Sequence, residues 1–244
     1  MMEAFEEVRR VRLDSGPRIA YRVVGPEQAP PVVLLHAMGE SSLDWIRVAR
    51  ALADRRRVHA VDLRGHGDSD RPGRYSFELM REDVVGLLAA LGLRRPMLVG
   101  HSLGGLVAAL VAQHSPGAVG SLVMEEPPPP LPASPPRQVP PRPQSDPPFD
   151  WAVVPAITAQ RNAPDPAWWD GLVRIQAPSL LVAGGSGSHL SQGLLAAMAD
   201  RIPNCRLVTL PRGHQVHASD PLGFVDALGP LLRDREAAPA PPLA

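Results

Sequence analysis

Gly100-His101-Ser102-Leu103-Gly104 decides how this chain is read. The apolar run Pro96-Met97-Leu98-Val99 precedes it, and the apolar, helix-like Gly105-Leu106-Val107-Ala108-Ala109-Leu110-Val111-Ala112 follows. That order predicts a strand, a sharp turn and a helix, with Ser102 at the apex. A side chain on such a turn needs small neighbours, because the backbone bends hard and the helix packs close behind it. Glycines two before and two after Ser102 meet that demand. The turn would lift the hydroxyl above the end of a sheet. It would also aim the Leu103 N–H, at the start of the helix, at any oxyanion forming there. The same five residues also suit a Gly-rich turn with an incidental serine, so the rest of the chain has to decide.

Outward from this turn, short apolar runs alternate with longer helical patterns. The runs are 32–35, 58–61, 97–99, 121–124, 179–183 and 206–209; the helical patterns are 42–53, 77–91, 103–114, 192–201 and 221–232. Continuous apolar strands alternating with helices predict an α/β fold with a mostly parallel sheet covered on both faces. Residues 6–13 and 18–24, joined at Ser15-Gly16-Pro17, read as an opening hairpin. One segment breaks the rhythm: more than half of residues 127–148 are proline. Such a run forms neither helix nor central strand and reads as extended, semi-rigid chain. Phe149 to Val173 follows, with Trp151, Trp168 and Trp169 in helix-permissive surroundings. The division expected is a core of residues 1–126 and 174–235, a small proline-rich cap at 127–173 over the carboxyl edge of the sheet, and a disordered tail at 236–244. A solvated linker or a partner-binding proline arm is the alternative for 127–173.

Composition narrows the function. The 244 residues are 44% hydrophobic with zero formal net charge, enough apolar material for a sizeable core and no overall attraction to nucleic acid or anionic membrane. Every cationic side chain is arginine, and Arg55-Arg56-Arg57 reads as a solvated stretch before a strand. Cys205 is the only cysteine, so no intrachain disulfide can form. No apolar run reaches the length of about 18 residues that a membrane span needs, and the start of the chain lacks a signal-peptide pattern; the expectation is a cytoplasmic protein.

Four stretches together resemble the α/β-hydrolase superfamily across nearly the whole chain. They are Leu35-His36-Ala37-Met38-Gly39, Asp62-Leu63-Arg64-Gly65-His66-Gly67-Asp68-Ser69, Gly100-His101-Ser102-Leu103-Gly104-Gly105, and Gly213-His214. The resemblance implies Ser102 as nucleophile, His214 as its general base, and the Met38 and Leu103 N–H groups as the oxyanion hole. Ala37 stands where the family usually has glycine. A serine hydroxyl needs a base to take its proton as it attacks a carbonyl, and each fixed oxyanion donor contributes roughly 2.7–4 kcal/mol. His101 should point elsewhere on the turn and His217 should pack beside the site. The Asp62–Gly67 stretch looks more like a tight turn held by Asp62 and Arg64 than a metal or acid site.

The family's carboxylate usually follows the strand equivalent to Ser179–Ala183, yet this chain has Gly184-Gly185-Ser186-Gly187-Ser188-His189 there. Some members take the acid from the preceding strand, which makes Glu126 the first candidate and Glu125 the second, with neither as the remaining possibility. Successive strand residues face opposite ways, so only one glutamate should reach His214. The implied function is a serine hydrolase cleaving a small ester-like substrate through an acyl-enzyme on Ser102, of esterase, lactonase or thioesterase type. No metal or organic cofactor is expected, and Trp151, Trp168 and Trp169 are the expected substrate-binding residues. Alternatives are C–C bond hydrolysis or a cofactor-free haloperoxidase or perhydrolase reaction on the same triad. From other classes come a non-catalytic small-ligand binder and an interaction module working through the proline arm.

Overall fold

The computed structural model describes residue 5 and residues 7–236. Eight strands form one sheet: β1 (Arg9–Arg12), β2 (Arg18–Val24), β3 (Pro31–Leu35), β4 (Arg57–Val61), β5 (Met97–His101), β6 (Ser121–Glu125), β7 (Ser179–Ala183) and β8 (Cys205–Thr209). Their spatial order is β1-β2-β4-β3-β5-β6-β7-β8. The opening hairpin runs antiparallel to β4, and every pairing from β4 to β8 is parallel. The helices are α1 (Ile46–Leu52), α2 (Phe77–Ala90), α3 (Leu103–His114), α4 (Val153–Asn162), α5 (Ala167–Gly171), α6 (Gln192–Arg201), α7 (Val216–Ser219) and α8 (Pro221–Glu236).

The apolar runs became strands because both faces of the sheet are covered, so residues of either parity are buried. Val33, Leu35, Leu98, Leu122, Met124 and Leu181 enter one core cluster with residues of α2, α3 and α4. Val32, Leu34, Val99, Val123 and Leu180 enter the other with Trp45, Phe224 and Leu228. The helix expected at 42–53 starts instead as a 3-10 turn, Ser42–Trp45, before α1. There the Asp62 carboxylate accepts the Ser42 N–H at 2.6 Å, tying the turn to the end of β4. Of the expected tail, Glu236 still belongs to α8 and 237–244 lie outside the described residues, as does Glu6 of the hairpin.

Order reverses at β3, which lies between β4 and β5. Such a switch point opens a crevice beyond the carboxyl ends of the strands, and the turns after β3 and β5 border it. Residues 127–148 contain no helix or strand. The chain then docks on the core through Phe149, whose ring stacks on His66 at 5.4 Å between centroids, and through Tyr75, whose hydroxyl donates to Asp150 at 2.5 Å. Gln160 of α4 accepts the Phe77 N–H and donates to Glu78, so α4 is fastened to the start of α2. Pro155 sits in the first turn of α4, where its missing N–H breaks no helical bond. No helix among the described residues is long and apolar enough to cross a membrane.

Candidate active site

Ser102 sits between β5 and α3 with φ 51° and ψ −111°, a backbone conformation that a non-glycine residue adopts only under constraint. The constraint is steric and hydrogen-bonded. A Cβ on Gly100 would lie 2.2 Å from Gly104 O, and one on Gly104 would lie 2.3 Å from Leu35 O, so neither position tolerates a side chain. Ser102 N–H donates to Glu125 O at 2.9 Å, and Gly104 N–H to His36 O at 3.2 Å. Among the described residues the Ser102 hydroxyl makes no hydrogen bond, and the residue is partly exposed.

The Leu103 N–H opens α3 and has no partner within the helix, as for any first-turn amide. Met38 N–H likewise makes no backbone hydrogen bond among the described residues. The loop holding Met38 is shaped by Gly39, at φ +89°, and not by Ala37, which keeps an ordinary negative φ; alanine therefore fits where the family has glycine. Met38, Ser102, Leu103, Pro128, Ile157 and Arg161 line a small cavity of about 30 Å³. A larger one of about 180 Å³ adjoins it across Phe77 and Leu106, with Trp168, Pro130 and Gln160 among its walls. Of the three tryptophans expected to bind substrate, Trp168 lines the larger of these two cavities, and Trp151 and Trp169 line neither. Trp169 donates its indole N–H to Pro130 O at 3.1 Å and takes Arg201 over its ring; Trp151 leans on Phe149. Trp169 thus props the proline segment at Pro130, and Trp151 packs beside Phe149, just past that segment's end.

The two adjacent glutamates part company. Glu126 Oε2 lies 3.2 Å from His214 Nδ1. Its Oε1 accepts the Gly184 N–H at 2.5 Å and Gln192 Nε2 at 3.3 Å, and the Ser188 hydroxyl donates to Oε2. Burial works to raise the Glu126 pKa, but these four bonds outweigh it and hold the carboxyl below its ordinary range. Glu126 has φ 47°, a left-handed turn just after β6 that swings its side chain under the loop after β7. The acid-free loop of the sequence thus supplies donors instead of a carboxylate. His214 reaches this carboxylate because its own loop touches that one: Gly213 N–H donates to Gly184 O at 3.0 Å. A Cβ on Gly184 would lie 1.9 Å from Gly213 O, so the close approach needs glycine there.

Glu125 points the other way. Its carboxylate accepts His217 N–H at 3.0 Å and faces His217 Nδ1 at 2.7 Å, while Asp44 lies 3.0 Å from His217 Nε2. Burial would lower the His217 pKa, but the facing Glu125 and Asp44 carboxylates raise it to about 9. Trp45 stacks on the ring at 4.1 Å. His101 is buried, with Nε2 2.8 Å from His214 O, and burial lowers its pKa to about 4. His217 thus has both ring nitrogens engaged, and His101 has one. Asp44, His101 and His217 hold ligand-type atoms within 4.8 Å of one another, yet both His217 nitrogens already face carboxylates and leave no lone pair for a metal. The Asp62–Gly67 stretch is structural. Asp62 accepts the Ser42 and Asp68 N–H groups, and Arg64 is paired with Asp83 through two contacts of 2.5 and 2.6 Å.

Residues 30–167, more than half of the chain, match the family model described as alpha/beta hydrolase fold. The chain therefore belongs to the alpha/beta hydrolase fold family, in agreement with its sheet and its serine turn. Among curated proteins it is 42% identical over 102 residues to the sn-1-specific diacylglycerol lipase of Mus musculus, covering 41% of this chain and 33% of that one. It is 34% identical over 114 residues to epoxide hydrolase 4 of Mus musculus, covering 46% of this chain and 32% of that one. The matches thus span about a third of these relatives' lengths. Among solved structures, a hydrolase from Pseudomonas aeruginosa PA01 is 26% identical with a TM-score of 0.79, over 92% of this chain and 98% of that one. A membrane phospholipase A is 27% identical with a TM-score of 0.79, over 95% and 87%.

Proposed function

We propose that the protein is a serine hydrolase acting on a small ester-like substrate, with Ser102, His214 and Glu126 as its triad. The observation that carries this reading is the buried Glu126 carboxylate on His214 Nδ1, on the carboxyl side of a sheet that presents a strained, unbonded serine. With Nδ1–H committed to the carboxylate, the His214 Nε2 is the unprotonated edge and accepts the Ser102 proton during attack. The tetrahedral oxyanion then takes the Met38 and Leu103 N–H groups, and His214 returns the proton to the leaving oxygen. A water deprotonated by His214 releases the acyl group and restores the serine. The Ser102–His214 hydrogen bond closes with substrate present, as it does in many hydrolases.

Epoxide hydrolase 4 among the relatives raises a carboxylate-nucleophile reading, but the residue on this turn is a serine. The missing acid after β7 favoured a non-catalytic binder; Glu126, held by that same loop, supports the catalytic reading instead. A fluorophosphonate probe should label the wild-type protein and not Ser102→Ala. A panel of esters, thioesters and lactones then ranks the substrate classes. Absence of labelling in the wild type would sink the proposal.

A further inference from the structure

Arg161 lies near the end of α4 and lines the small cavity that holds Ser102. Apart from Ser102 it is the only polar side chain in a wall otherwise made of Met38, Phe77, Leu103, Leu106, Pro128 and Ile157. Two buried arginines are neutralised by carboxylates: Arg22 by Asp62 and Asp68, and Arg64 by Asp83. Among the described residues the Arg161 guanidinium has no hydrogen bond and no ion pair, although its backbone carbonyl is fixed by Arg137 Nη1 at 2.8 Å. The charged group that acts on it is another cation. The Arg137 guanidinium works with burial to lower its pKa, and Arg161 in turn lowers that of His189, whose ring lies 4.4 Å from that of His214. A half-buried cation without a counter-ion is costly, and its natural complement is an anion arriving from outside.

We infer that the substrate carries an anionic group, a carboxylate on its acyl part, and that Arg161 binds it. The inference rests on the serine-hydrolase reading for its orientation. His214 must stay beside the leaving group to protonate it, and His214 does not line this cavity. What enters the cavity beside the oxyanion donors is therefore the acyl side. The space is about 30 Å³ before it opens toward the larger cavity, so the acyl chain next to the carbonyl is short. A guanidinium offers a planar fork that matches a carboxylate at both oxygens. The substrate class this describes is the monoester of a short dicarboxylic acid.

Binding separates this inference from the catalytic one. Monomethyl glutarate, titrated by calorimetry into Ser102→Ala protein, should bind at least about tenfold more tightly than into the Ser102→Ala/Arg161→Gln double variant. Dimethyl glutarate, which lacks the charge, should not distinguish the two, and Arg161→Lys should restore part of the preference. In turnover, the ratio of kcat/KM for the 4-nitrophenyl monoester of adipate over 4-nitrophenyl hexanoate should fall by a similar factor in Arg161→Gln. The exposed Arg142→Gln, an equal change of net charge, should leave the ratio unaltered. Undiminished affinity in the double variant, or no preference of the Arg161 protein for the anion over the neutral diester, overturns the inference. Because the binding arm uses protein without the serine hydroxyl, it gives its answer even if fluorophosphonate labelling fails.

Discussion

Two carboxylate–imidazole pairs stand side by side, built from neighbouring glutamates and from histidines three residues apart, and they are suited to different tasks. His217 is completely buried, stacked under Trp45 and held at both nitrogens by Glu125 and Asp44. Such a ring stays cationic at neutral pH and has no free edge with which to relay a proton. His214 is about a quarter exposed and meets one carboxylate, at one nitrogen. The second edge stays available, which is what a base that must take up and return a proton requires. The chemistry of the two pairs is the same; they differ in the number of carboxylates and in exposure.

The comparison can be broken or sharpened by substitution. The largest effect should come from Glu126→Gln, which removes the negative charge behind His214 and should lower ester turnover by about four orders of magnitude. Circular dichroism and a thermal unfolding curve matching the wild type would check that the protein remains folded. Next, Glu125→Gln should act on stability, leaving the buried His217 short of one counter-charge at a cost of about 3–5 kcal/mol in denaturant unfolding. Turnover per folded molecule should change far less than in Glu126→Gln; equal losses in both would erase the distinction. A third test is pH. His217 has a folded pKa of about 9, above its ordinary 6.5, so its charge contributes stability in full below about pH 6.5. That contribution fades as the pH climbs through about 9, a loss on the order of 3 kcal/mol. His217→Gln should flatten unfolding free energy across that window. The smallest change should follow Ser188→Ala, which removes one of four groups holding Glu126: about a tenfold drop in kcat, with KM little altered.

The fold was largely legible because its parallel strands are covered on both faces, and continuous apolar runs such as 179–183 can be read without knowing their partners. The serine turn was legible through Gly100 and Gly104, whose absent side chains are demanded by local sterics. Strand alternation indicated that Glu125 and Glu126 would diverge. It could not show the left-handed turn at Glu126, nor that Gly184, Ser188 and Gln192 would gather around its carboxylate, because those contacts join the segment after β7 to the end of β6. Aromatic residues beside a proline run suggested a binding wall. The partners that engage Trp151 and Trp169 elsewhere, Phe149 and the Pro130 carbonyl, come from tertiary packing. Arg161 carried no signal at all: in a chain whose cations are all arginine, an unpaired one is visible only when its surroundings are known.

Pro127, Pro128 and Pro129 follow the Glu126 carboxylate directly and are buried, whereas most of 132–148 is exposed. The first three are clamped against the core and, being proline, have little torsional slack. The anchored prolines thus separate the Glu126 carboxylate from the exposed residues 138–146, which could be lengthened or trimmed while the alignment beneath them persists.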